Sequence, residues 1–123
     1  MNYIYTQNAP EDIGPYSQAI VTGNLVFTSG HIAINPSSGA IEATTIEEQT
    51  EQVCKNLSAV LEAAGSSLEK VVKTTCFLSS MDDFAAFNGI YAKYFTGKPA
   101  RSCVAVKTLP KNVLVEVDAV AEI

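Results

Sequence analysis

At 123 residues, 47% of them hydrophobic and 17% charged, the chain has the size and composition of a single globular domain spanning 1–123. A net charge of −5 with no basic run counts against nucleic-acid binding, and no apolar stretch is long enough to span a bilayer. One histidine and three scattered cysteines (Cys54, Cys76, Cys103) make neither a disulfide framework nor a metal site, and together with a start that lacks signal-peptide features they lead to an expected cytoplasmic location.

Tyr3-Ile4-Tyr5 reads as a short strand, followed by an irregular loop over Asn8-Ala9-Pro10-Glu11-Asp12-Ile13-Gly14-Pro15. Two apolar runs, 16–21 and 25–30, flank Gly23-Asn24 and predict a hairpin. Asn35-Pro36-Ser37-Ser38-Gly39 is a turn by composition. Thr45 with Glu48 three residues on is a capping box, opening a helix with Ile46, Val53, Leu57, Val60, Leu61 and Ala64 on one stripe. Gly65 ends that helix, whose outer face carries Glu47, Glu51, Lys55 and Glu62.

The β-branched run 71–78 predicts a strand. Ser79 to Asp83 offer caps for a second helix, whose aromatic stripe (Phe84, Phe87, Tyr91, Tyr94, Phe95) reads as core packed on a sheet. Gly97 and Pro99 stop it and release a strand over 99–106, with Arg101, Cys103 and Ala105 on one face. Leu109-Pro110-Lys111-Asn112 is a turn, and 113–120 the last strand. Reading the last two strands as a hairpin gives the order hairpin, helix, strand, helix, hairpin. That predicts an α+β fold with two helices on one face of a mixed sheet and an uncovered apolar face that meets most simply a copy of itself.

Arg101 stands directly behind the start of its strand, where a guanidinium is a fixed fork that fits a carboxylate bidentately. An isolated arginine there is ordinarily solvent-facing. Glu116 sits in the apolar run Val113-Leu114-Val115-Glu116-Val117. With the last two strands paired, it falls within a few residues of Arg101. Two readings follow: a structural ion pair, or a division of labour in which Arg101 takes an anionic substrate and Glu116 orients or activates a water. The backbone at Ser29-Gly30 can approach a ligand closely. Ser29 lacks a base nearby other than His31, so a Ser-His triad is poorly supported. Cys103 is either a nucleophile or a small buried hydrophobe. Tyr16 either stacks on a planar substrate or seals the hairpin, and Asn88 needs a polar partner if buried.

Gly14-Pro15-Tyr16-Ser17-Gln18-Ala19, Phe27-Thr28-Ser29-Gly30-His31-Ile32 with Asn35-Pro36 and Gly39, Pro99-Ala100-Arg101-Ser102-Cys103-Val104, and Leu109-Pro110 followed by Val115-Glu116-Val117 together resemble the Rid family. These are the YjgF-type reactive intermediate/imine deaminases, also called the L-PSP endoribonuclease family. The likeness covers essentially the whole chain. It implies a chorismate-mutase-like fold and a homotrimer joined through its sheets into a central barrel, with clefts between neighbouring subunits. It implies hydrolysis of 2-aminoacrylate, 2-iminobutanoate or 2-iminopropanoate to the 2-oxoacid and ammonia, without cofactor or metal. Arg101 would grip the substrate carboxylate. Glu116 and the Cys103 carbonyl would hold the attacking water, and Tyr16, Ser29, Gly30 and Asn88 would line the pocket. A non-catalytic 2-oxoacid-binding or chaperone-like trimer is the alternative; ribonuclease action, attached to some members, fits the acidic balance poorly. Two departures stand out: His31 replaces a glutamine common in the deaminases, and the connection Thr96-Gly97-Lys98 is shorter than in many members.

Overall fold

A computed structural model describes all of residues 1–123. Gly23 and Asn24 turn β2 (Ala19–Thr22) into β3 (Leu25–Thr28), with Thr22 paired to Leu25 across the two-residue loop. Gly23 takes a φ of 59°, the left-handed region that such a turn demands and glycine reaches without steric cost. β1 (Asn2–Ile4) adds to the outer side of β2.

Helix α1 (Ile46–Ala63) starts where the capping box places it: the Thr45 hydroxyl accepts the Glu48 N–H at 3.1 Å, a contact of the kind that contributes about 1 kcal/mol. Gly65 closes its C-terminal end at a φ of 86°. Val53, Leu57, Val60 and Leu61 are fully buried, as their spacing requires. β4 (Val71–Leu78) follows, then α2 (Phe84–Tyr94), β5 (Ala100–Ala105) and β6 (Val115–Glu122).

The sheet order is β1-β2-β3-β6-β4-β5. The expected terminal hairpin does not form. β6 pairs antiparallel with both β3 and β4, whereas β5 pairs parallel with β4 at the far edge. A local turn exists at Pro110–Asn112, with Lys111 and Asn112 both at positive φ, but it belongs to a connection that steps over β4. Burial explains the choice. Val115, Val117, Ala119 and Ala121 are all within 1% of complete burial, so β6 takes the centre of the sheet, while β5 is exposed along most of its length and takes an edge. The parallel β4–β5 pair then requires a crossover, and α2 supplies it.

Both helices cover one face. Thr74, Cys76 and Leu78 of β4 point into that layer, together with the alternate residues of β6. The opposite face has no covering element. It carries the cross-strand row Tyr3, Ile20, Phe27 and Val120 and, further along, the row Glu116, Phe77 and Val104. Tyr3, Phe27 and Val104 are large apolar side chains left exposed there. No helix is long and apolar enough to cross a membrane.

Candidate active site

Register decides how the candidate residues are grouped. Arg101 is the direct partner of Thr74, whose side chain is buried in the helix layer, so Arg101 and Cys103 project from the helix face. Glu116 is the partner of Phe77, one position off the Cys76–Val117 pair, and projects from the open face. Arg101 and Glu116 thus lie on opposite faces, with β4 between their strands. The anticipated proximity of the two, and with it the structural ion pair, is not formed within one chain. The physical reason is that β4 is inserted between β5 and β6, a non-local pairing that local turn chemistry does not encode.

The Glu116 half is a cavity of about 510 Å³ whose wall includes Tyr16, Ser29, Gly30, His31 and Glu116. Beyond β3 the chain continues alongside β6, where His31 and Val117 exchange both main-chain hydrogen bonds at 2.9 and 3.1 Å. That pairing lays Gly30 against the Glu116 carboxylate. The Ser29 hydroxyl donates to the Ser17 carbonyl at 2.6 Å, and the Ser29 N–H to the Gln18 carbonyl at 3.0 Å. Ser29 is therefore held by main chain rather than poised on a base, as the weak case for a triad anticipated. Tyr16 is half exposed at the rim.

Glu116 makes no salt bridge in this half, whose wall also carries Lys111. Burial, and then the neighbouring Asp118, push the Glu116 carboxyl above its ordinary pKa. His31 is buried, its Nε2 has no hydrogen-bond partner, and desolvation depresses its pKa to about 4 against a weaker opposing pull from the Gln18 carbonyl. It is a neutral imidazole at physiological pH.

The Arg101 half lies on the other side. The Arg101 Nη1 donates to Asn88 Oδ1 at 2.7 Å, giving Asn88 the polar partner it needs. The guanidinium carbon stands 4.9 Å from the Tyr91 ring centroid, 5.4 Å from that of Phe84 and 6.0 Å from that of Phe87. The aromatic stripe of α2 is thus core, as expected, and also a surface on which the arginine rests. Cys103 is half-buried beside Cys76, its partner in register, and burial outweighs Arg101 to raise its thiol above the ordinary pKa. A thiol held protonated is a poor nucleophile.

Gln18 escaped the sequence reading. Its buried side chain accepts from the Thr6 N–H at 2.7 Å and donates to the carbonyls of Thr6 (3.1 Å) and Pro10 (2.7 Å), tying the irregular N-terminal loop down over the cavity. The only signal was a glutamine at the mouth of an apolar run, which is equally at home on a surface.

Residues 6–123 match the family model described as Endoribonuclease L-PSP. A RutC family protein of Pyrococcus horikoshii is 53% identical over 96% of this chain and 94% of its own length. The 2-iminobutanoate/2-iminopropanoate deaminase of Escherichia coli K12 is 44% identical, again over 96% of this chain and 94% of its own. Among solved structures, a Yersinia pestis protein of the conserved Rid family, described as of unknown function, superposes with a TM-score of 0.96. It is 48% identical and the match covers 99% of this chain and 98% of that one.

Proposed function

This chain belongs to the Endoribonuclease L-PSP family, which includes the Rid proteins, and from that premise we propose that it is an imine deaminase converting small 2-imino acids to 2-oxoacids and ammonia. One observation carries the reading. Arg101, a permanent cation, is exposed and held only by an amide and three aromatic rings, with no acid to neutralise it. A site of that kind is a receptor for an anion the chain does not itself contain. The second support is an acid that makes no salt bridge, Glu116, facing a cavity large enough for a small substrate.

The chemistry balances without a further group. Arg101 fixes the carboxylate of 2-iminobutanoate or 2-iminopropanoate. A water held by Glu116 and the Cys103 carbonyl attacks the imine carbon, Glu116 taking one of its protons. The C=N π bond opens to a carbinolamine. Glu116 returns the proton to nitrogen, then takes the proton of the new hydroxyl and passes it to the same nitrogen; the C–N bond breaks and ammonia leaves as the carbonyl forms. A carboxyl whose pKa is raised by burial suits a group that must first accept and then donate a proton. In the enamine form, 2-aminoacrylate, protonation at the terminal carbon precedes these steps.

Neither half performs this alone. The reading therefore places the reaction where two copies meet, in the clefts of a homotrimer assembled through the uncovered sheet face, with Arg101 and Cys103 from one chain and Glu116, Tyr16, Ser29 and Gly30 from its neighbour.

The test generates 2-iminobutanoate from threonine with a dehydratase and follows 2-oxobutanoate formation. The protein should accelerate it; Arg101→Ala and Glu116→Gln should each lose roughly 10²-fold or more in kcat/KM. Unfolding the two variants together and refolding them should restore activity, because random assembly unites an intact Arg101 with an intact Glu116 in about a quarter of the clefts. No acceleration by the wild type, with 2-oxobutanoate still bound, would turn the reading to a non-catalytic 2-oxoacid carrier. Failure of the mixture to recover would remove the shared site.

A further inference from the structure

Exposed arginines ordinarily sample many rotamers and lose that freedom when a ligand fixes them. Arg101 does not have that freedom to lose. Tyr91 is buried, and its hydroxyl is joined to the Thr74 hydroxyl at 2.7 Å. Its ring stacks on Phe95 at 4.4 Å with 22° between planes and meets Phe87 at 5.4 Å. The ring is therefore fixed from three sides before it meets the guanidinium on its face. Thr74 is also the register partner of Arg101 on the adjacent strand. The three residues close a triangle: strand to strand by the ladder, strand to helix by the hydroxyl pair, helix back to strand by the cation on the ring.

An acidic partner would hold an arginine as firmly, but it would occupy the fork and oppose the charge. Aromatic faces and an amide oxygen hold it while leaving most of its five N–H donors and all of its charge for another ligand. On this basis we infer that Tyr91, its ring held between Phe87 and Phe95, is a positioning residue. It presets the Arg101 fork for the carboxylate of the substrate, so that its ring, rather than its hydroxyl, sets affinity. The inference rests on the carboxylate-gripping role proposed above for Arg101, and it adds a function for a helix stripe otherwise accounted for by packing.

The experiment compares wild type, Tyr91→Phe, Tyr91→Leu and Phe84→Leu. Each is titrated calorimetrically with 2-oxobutanoate, assayed with 2-iminobutanoate, and examined by NMR at the Arg101 side chain. Tyr91→Phe keeps the ring and should bind within about twofold of wild type. Tyr91→Leu should weaken binding and raise KM by about tenfold, with kcat changed less than about twofold. Phe84→Leu, at a half-buried position, should show a smaller shift in the same direction and serves if Tyr91→Leu fails to fold. In wild type and Tyr91→Phe the Arg101 δ protons should be displaced upfield by the ring, and in Tyr91→Leu this displacement should shrink. Unchanged affinity in folded Tyr91→Leu, a fall in kcat at constant KM, or wild-type Arg101 signals at free-arginine positions would overturn the inference while leaving the deaminase reading intact. Wild type that neither binds 2-oxobutanoate nor accelerates 2-iminobutanoate hydrolysis overturns both.

Discussion

The Glu116 carboxylate fills the space that a side chain on Gly30 would need. A Cβ on Gly30 would stand 2.9 Å from the carboxyl carbon and 3.2 Å from the Glu116 Cγ. Gly30 does not have a positive φ, so its requirement is for room rather than for backbone freedom. Gly30→Ala is therefore expected to fold and to swing Glu116 away. A displacement of about 1 Å in a catalytic group costs up to about 10²-fold in rate, so kcat should fall on that scale with little change in the affinity for 2-oxobutanoate. Steady-state kinetics with calorimetric binding checks this; a loss of affinity matching the loss of rate would count against it.

Glu116→Gln should separate stability from activity. With its folded pKa above the ordinary value of 4.5, the native carboxyl holds its proton more tightly than the unfolded one. Its contribution to stability is greatest below the unfolded pKa and declines as pH rises through the folded pKa. The neutral amide escapes that decline. The variant should melt higher than wild type at pH 8, the gap closing toward pH 4, while kcat drops roughly 10²–10⁴-fold. Thermal melts across that range decide it.

His31 governs the acid limb. Its folded pKa of about 4 against an ordinary 6.5 means that the unfolded chain binds the extra proton more readily. Stability from this residue is complete above pH 6.5 and is lost as pH falls toward 4, reaching roughly 3 kcal/mol at the low end. His31→Gln should flatten the stability profile between these limits, whatever it does to the level at neutral pH. Denaturant midpoints measured at half-unit steps test it, and an unchanged slope would show that His31 charges without penalty.

Cys103→Ala should retain activity within about threefold, since its thiol is pushed up by burial and its proposed part in the reaction uses the main chain of an edge strand. A loss beyond about 10²-fold would restore the thiol as the reacting group.

What the sequence made legible was local. The Thr45 cap, the Gly65 stop, the Gly23-Asn24 turn and the buried stripe of α1 each depend on residues a few positions apart, and each was found where spacing put it. The alternation of β5 likewise set Arg101 and Cys103 on one face. What escaped was which strand lies beside which. Leu109-Pro110-Lys111-Asn112 carries hairpin chemistry, yet the strands on either side are separated by β4, because a turn fixes the direction of the chain and not the identity of its neighbour. That single non-local fact separated Arg101 from Glu116. The clamp by Gln18 was hidden for a similar reason: its partners Thr6 and Pro10 belong to a loop whose path has no period to read.

The crossover through α2 has an evolutionary consequence. Thr74, Asn88, Tyr91, Arg101 and Cys103 all fall within β4, α2 and β5, one contiguous run of the gene, whereas Tyr16, Ser29, Gly30 and Glu116 come from segments outside it. On the proposed reading, recognition of the acid is thus inherited as one cassette, while the water is held between that cassette, through the Cys103 carbonyl, and Glu116 outside it. Residues within 84–105 can vary the range of acids accepted, whereas β4 is tied to the hydrolytic half through the register pair Phe77 and Glu116.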